Sequence, residues 1–270
     1  MAIYLLLIIS VSSTFMYYYL HKKTRMNFKF IYVDNLIVIV LTYIISLLAF
    51  TYIFADLDIF YKFSLTILIG GTLILGLGYT ITMIRFWRTP NRKNSSLQND
   101  ILSPADGNVL YIKQIEANEP PIAVKNGILN SLPELTKTTL LKTPCWLIGI
   151  NMTPWDVHKN CAPIDGKIML NKHTKGEFLS LKKFESLTQN ERNTYIIKND
   201  SIQIGIIQIA SKGVRRIDSY VQPDSMVKKG DWLGMIRFGS QVDVIIPYNC
   251  KIHIKTGQQI YAAKTIIASL

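Results

Sequence analysis

Cysteine is scarce in this chain: Cys145, Cys161 and Cys250 are three in 270 residues, widely spaced and without a CxxC pair. That excludes a disulfide framework and a cysteine-built metal site, and it agrees with a reducing compartment. Acidic residues are also few, 18 Asp and Glu against 30 Lys and Arg, for a formal charge of +12. The chain has no GxSxG elbow, no HxxxH or HxH pair, and no helix-turn-helix, zinc-finger or RNA-binding motif. An α/β-hydrolase, a metal centre and a nucleic-acid binder therefore find no support. Internal repeats and low-complexity tracts are absent as well.

What is abundant is apolar sequence near the start. Three uncharged runs, Ala2 to Leu20, Leu36 to Ala55 and Phe63 to Ile84, each approach the roughly 20 residues that cross a hydrocarbon core. A cleaved signal peptide would want a basic start and a small-residue cleavage site. The first run instead opens Met-Ala-Ile-Tyr and closes on Tyr17, Tyr18 and Tyr19 before His21-Lys22-Lys23, the aromatic and basic end of a retained helix. Lys22, Lys23, Arg25 and Lys29 crowd the first connection, whereas Asp56 and Asp58 mark the second. Positive charge is retained on the cytoplasmic side, so the N-terminus is predicted outside and everything after Arg85 inside.

From Arg85 onward the chain carries 25 Lys and Arg against 15 Asp and Glu. Beside three membrane helices, that excess suits a domain resting on an anionic leaflet better than a nucleic-acid surface. The predicted organisation is a transmembrane region over 1–84, a basic and polar linker over 85–100, and a domain over 101–270. Strand-like stretches fall at Asn108 to Lys113, Trp146 to Asn151, Ser201 to Ala210, Trp232 to Phe238 and Val242 to Ile246. Asp106-Gly107, Asp165-Gly166 and Lys229-Gly230-Asp231 suggest tight turns. Apolar spacing over Gly176 to Asn193 predicts one short helix, and Glu119 to Thr143 reads as a surface loop that could meet lipid. The domain is mostly β.

Three candidate residues have ordinary local explanations. Asp106 can be a turn aspartate, His158 a lone loop histidine, and Gly239-Ser240 a glycine kink between two strands. Together they supply a hydroxyl, an imidazole able to take its proton, and a carboxylate able to orient the imidazole. A serine after glycine in a constrained turn can also attack the preceding carbonyl. Composition does not establish that it does.

Arg-Phe-Trp-Arg-Thr-Pro-Asn-Arg at Arg85 to Arg92, Ser-Pro-Ala-Asp-Gly at Ser103 to Gly107, and Asn-Met-Thr-Pro-Trp-Asp-Val-His-Lys-Asn-Cys-Ala-Pro at Asn151 to Pro163 resemble successive motifs of phosphatidylserine decarboxylases, the shorter branch in particular. Asn190 to Asn193, Gln208 to Ala210, Arg215-Arg216, Lys229 to Asp231 and Ile236 to Val244 continue the series in the family's order. The resemblance covers essentially all of the chain after the third apolar run.

It implies a β-sandwich or hybrid-barrel catalytic domain with a minor helix, preceded by the three-helix transmembrane region. It further implies that Asp106, His158 and Ser240 form a self-cleavage triad, in which Asp106 holds the His158 ring. Ser240 would attack Gly239, leaving residues 1–239 and 240–270 and a pyruvoyl cofactor at residue 240. That group would take up the amine of a serine head group and accept the electron pair as carbon dioxide leaves, converting phosphatidylserine to phosphatidylethanolamine. His158, as an imidazole titrating near neutrality, is the implied proton donor. The family match is also compatible with a homodimer and with an ether-linked archaeal serine lipid as substrate. Two positions depart from the family pattern: Cys161 replaces a histidine or arginine, and Gln241 follows the serine. His173 and His253 match nothing. Two rival readings stay open, a lipoyl- or biotinyl-like sandwich in a non-enzymatic membrane protein, for which no Met-Lys-Met-like hairpin is present, and a family member that does not process.

Overall fold

The computed structural model describes residues 2–24, 26–92, 96–116, 122–125, 128–130, 132–181, 183, 185–212, 216–237 and 240–270, with 122–125, 128–130 and 240 described by their main chain. It divides into two units, Met1–Phe86 and Trp87–Leu270.

The first unit is helical. Helices α1 (Ala2–Thr24), α2 (Phe28–Leu48, prolonged by a wide turn over Ala49–Ile53) and α3 (Ile59–Trp87) are each long and apolar enough to cross a membrane. Side chains such as Tyr4, Leu36 and Leu68 stay exposed, an arrangement suited to hydrocarbon rather than water. Helix α2 starts at Phe28, eight residues before the apolar run does. The Asn27 side chain accepts from the Lys29 N–H at 3.0 Å and caps it. Asp34 and Asn35, which interrupt the hydropathy, are buried. Asp34 pairs with Arg85 of α3, while Asn35 accepts from Ser13 at 2.6 Å and donates to Thr14 at 2.9 Å. These polar contacts join α2 to both other helices.

The second unit is built from short antiparallel strands, sixteen among the described residues. In chain order they are β1 (Asp100–Leu102), β2 (Gly107–Ile115), β3 (Ile122–Lys125), β4 (Ile128–Asn130), β5 (Cys145–Met152), β6 (Lys159–Cys161), β7 (Gly166–Thr174) and β8 (Arg192–Lys198). The series continues with β9 (Gln203–Ala210), β10 (Ile217–Ser219), β11 (Met226–Val227), β12 (Trp232–Ile236), β13 (Ser240–Pro247), β14 (Lys251–Ile252), β15 (Gln259–Ile260) and β16 (Ile266–Ser269). An eight-stranded sheet has the order β11-β7-β8-β9-β13-β5-β2-β15, beside two three-stranded sheets, β1-β16-β14 and β10-β12-β6, and the hairpin β3-β4.

The main core draws Ile148, Ile150, Ile206 and Val244 from the large sheet, Ile267 from β16 and Leu233 from β12. The other face of the large sheet carries a second cluster, including Leu147, Ile207 and Ile245, closed by Leu135 of α4 (Leu132–Thr136) and Leu187 of α5 (Ser186–Gln189). Alternation along β13 therefore sends Val242, Val244 and Ile246 to the main core, and Ile245 to the second cluster with Gln241 and Asp243 on the same face.

Two expectations are corrected. Helix over Gly176 to Asn193 shrinks to α5, because Glu177 donates to the Gln189 carbonyl at 2.7 Å and Glu191 to the Glu177 carbonyl at 3.0 Å, which draws the segment's two ends alongside each other. Phe184, counted in that pattern, lies outside the described residues. The stretch Glu119 to Thr143 is not simply a loop: its described parts hold β3, β4 and α4, with Leu132 and Leu135 buried. Strands β7 and β8 escaped the sequence reading. From Arg192 to Ile197 every residue of β8 is buried, so no alternation marks it.

Candidate active site

Asp106 lies between β1 and β2 with its side chain fully buried. Gly107 does more than turn the chain: it opens β2, where any Cβ would overlap the Asn151 carbonyl. Arg92 grips the Asp106 carboxylate with both terminal nitrogens, Nη2 standing 2.7 Å from Oδ2. The main-chain N–H groups of Ala262 and Val157 donate to it at 2.8 and 3.3 Å, and the Arg88 guanidinium stands 3.9 Å away. Arg92 also donates to the Ala262 carbonyl at 2.7 Å. A buried carboxylate is costly unless paired and hydrogen-bonded, and here it is both.

His158 sits just before β6, buried, one residue beyond the Val157 N–H that Asp106 holds. Its loop is a turn in which the Asp156 carboxylate accepts from the Thr153 N–H and hydroxyl, both at 2.7 Å, and from Gln259 at 3.0 Å. Burial pushes the Asp156 carboxyl above its ordinary range. The turn directs the Asp156 carbonyl at His158 Nδ1, 2.9 Å away. A carbonyl can only accept, so Nδ1 carries the proton and Nε2 keeps its lone pair. Burial pushes the ring's pKa down to about 4; the Asp156 carbonyl and the Asp106 charge pull the other way, and the Arg88 charge lowers it further. In the uncut chain His158 is thus a neutral base. Burial there holds the ring below the near-neutral range that suggested it as a proton donor.

Asp106 and His158 come together in one buried neighbourhood, with the ring's Nδ1 on a main-chain carbonyl and the carboxylate gripped by Arg92. Gly239 lies outside the described residues, and Ser240 is placed by its main chain, opposite Met152 of β5 and Ala210 of β9. The two sides of that position are tied to the histidine strand. Ile236, four residues before Ser240, donates to the His158 carbonyl at 3.2 Å, and Asn160 Nδ2 reaches the Met152 sulfur at 3.7 Å. Asn160 also accepts from buried Gln208 at 2.8 Å.

Cys161 is buried, its thiol 3.4 Å from the Ser103 carbonyl, and burial pushes it up to about 12. It packs under the Asp106 segment. Arg88 and Arg92 entered the sequence reading only within a motif, and nothing in their spacing announced Asp106 as a shared partner, 14 residues beyond Arg92. Gln241, Asp243 and Tyr111 were likewise invisible as a group, since they come together only where two strands far apart in sequence, β2 and β13, flank β5.

Residues 79–268 match the family model described as Phosphatidylserine decarboxylase. The chain is 41% identical over 187 residues to a putative archaetidylserine decarboxylase proenzyme of Methanocaldococcus jannaschii, covering 68% of this chain and 88% of that one. A putative archaetidylserine decarboxylase proenzyme of Methanothermobacter thermautotrophicus is 37% identical over 188 residues, 69% of this chain and 79% of its own. A phosphatidylserine decarboxylase proenzyme of Carboxydothermus hydrogenoformans is 32% identical over 189 residues, 70% and 79% of the two chains.

Proposed function

The chain belongs to the phosphatidylserine decarboxylase family, and from that premise we propose that it cuts itself between Gly239 and Ser240 and decarboxylates a serine phospholipid. The observation that carries the cleavage step is the buried, Nδ1-protonated His158, bound through its own carbonyl to Ile236 on the way to Ser240. His158 Nε2 takes the Ser240 hydroxyl proton, and the oxygen attacks the Gly239 carbonyl. The proton passes to the residue-240 nitrogen as its bond to Gly239 breaks, so an ester replaces the amide. Elimination across Cα and Cβ expels the Gly239 carboxylate. Water then displaces ammonia and leaves a pyruvoyl group on residue 240.

Asp106 has two roles in this reading. Its charge favours the imidazolium that forms in the attack, and its bonds to Val157 and Ala262 fix the histidine loop against residues 240–270. The pyruvoyl carbonyl supplies an electrophile and electron sink that side chains lack. The catalytic region is read as residues 101–270, its core held between the large sheet and the smaller ones as in a sandwich. The three helices serve as a membrane anchor, and the charge distribution supports a cytoplasmic face for residues beyond 85.

Phosphatidylserine, converted to phosphatidylethanolamine, is the primary substrate reading. An ether-linked archaetidylserine is the second, favoured by the names of the relatives at 41% and 37% identity. Denaturing mass spectrometry of the purified protein tests the cleavage: two chains meeting at residue 240, the shorter with a pyruvoyl end, against one intact chain in Ser240→Ala. A single uncut wild-type chain would refute it. Release of labelled carbon dioxide from each lipid in turn decides the substrate.

A further inference from the structure

On the sheet face opposite the main core, three neighbouring strands hold a buried polar group that the cleavage chemistry does not use. Gly149 of β5 stands in direct register with Tyr111 of β2 on one side and Asp243 of β13 on the other. Tyr111 reaches that register through a bulge between Val109 and Tyr111. Val109 belongs to the main core, and strict alternation would return Tyr111 to the same face; the extra residue turns it to the other. Any Cβ on Gly149 would overlap the Tyr111 ring, so the glycine is what lets the ring lie across β5.

The Tyr111 hydroxyl thereby stands 2.9 Å from each Asp243 carboxylate oxygen. Gln241, the residue after Ser240, donates through Nε2 to Asp243 Oδ1 at 2.7 Å and to the Tyr111 oxygen at 2.8 Å. Gln241 and Asp243 are buried, and the charge of buried Arg192 partly offsets the carboxylate. Apolar residues of similar volume would cost less to bury, so what such a cluster contributes is direction.

We propose that Tyr111, Gln241 and Asp243 form a clamp that fixes the main chain at residue 240, first for self-cleavage and then for the cut end. The proposal rests on the self-cleavage reading above. Attack on the preceding carbonyl depends on where residue 240 is held, and after the cut that residue has neither a covalent neighbour before it nor an N–H to pair with. Gln241 is then the first side chain available to anchor it. The three residues are positioning residues, distinct from the base.

The test follows appearance of the 240–270 fragment from freshly synthesised proenzyme, with melting temperature measured alongside. Gln241→Leu, and Gln241→Asn, whose amide falls one methylene short, are expected to cut at least about 10-fold more slowly while still folding. Asp243→Asn keeps an acceptor for Gln241 and is expected to cut near the wild-type rate. Gln241 variants that cut as fast as wild type overturn the clamp and leave the self-cleavage reading standing. Asp243→Asn as slow as Gln241→Leu also overturns it, placing the effect in the charge of the cluster. If both Gln241 variants lose the fold, Gln241 belongs to the core alone and the clamp is again refuted. An uncut wild type removes both readings.

Discussion

His158 and Asp243 are both buried, and burial moves them in opposite senses because it disfavours whichever form is charged: the imidazole falls to about 4 and the carboxyl rises to about 6. In the proposed self-cleavage the competent form of His158 is the neutral one, so lowering the pH removes activity only as it passes through the ring's own value. Self-cleavage is therefore expected to hold a level rate from pH 8 to about pH 5 and to fall as pH approaches about 4, read from fragment formation in a buffer series. A midpoint near 6.5 would mean that the ring is solvated at the moment of reaction. Asp106 shows how a residue can be legible while its environment is not. Its place in Ser-Pro-Ala-Asp-Gly read locally as a turn and only the family resemblance implied a chemical role, while its grip by Arg92 and by the Ala262 N–H depends on chain segments that meet only in the fold.

At the scale of the element, β13 is the unusual one. It begins at the residue proposed to become the new chain end, yet it lies inside the large sheet, paired with β5 along its whole length and with β9 from Ser240 to Ile245. Strands β15 and β16 of the same fragment pair with β2 and β1. A cut at 239–240 therefore leaves the short fragment sharing two sheets with the long one. The two fragments of the processed protein are expected to elute together in mild detergent and to separate only under denaturation, checked by size exclusion followed by a denaturing gel. Early loss of residues 240–270 in mild detergent would contradict this pairing. Strand β13 was readable from its alternation of Val and Ile, whereas β8, buried on both faces, was not.

Over the whole molecule, a helical unit precedes a β unit, and their sequences differ as sharply as their structures. The basic residues between α1 and α2 and those following α3 flank connections on the side predicted to be cytoplasmic, while Asp56 and Asp58 mark the opposite turn. In sealed, right-side-out vesicles, added protease is expected to leave residues after 85 intact, and permeabilised vesicles to lose them. Digestion in sealed vesicles would invert the assigned orientation. The Asp34–Arg85 pair also explains why the hydropathy of α2 understated its length: a carboxylate facing another helix lowers the average without ending the helix.

Sequence alone determined the features that depend on local composition and on order along the chain. These are three runs long enough to span a bilayer, a mostly β remainder, and a motif series specific enough to place the chain in its family. Tertiary structure alone decided what depends on residues far apart in sequence. It paired Arg92 with Asp106, set the tautomer of His158 through a main-chain carbonyl, and brought Tyr111, Gly149 and Asp243 into one register across three strands. The physical reason is the same in each case. A side chain's protonation and aim are fixed by the charges, carbonyls and empty space around it, and those come from strands whose neighbours the linear order does not specify.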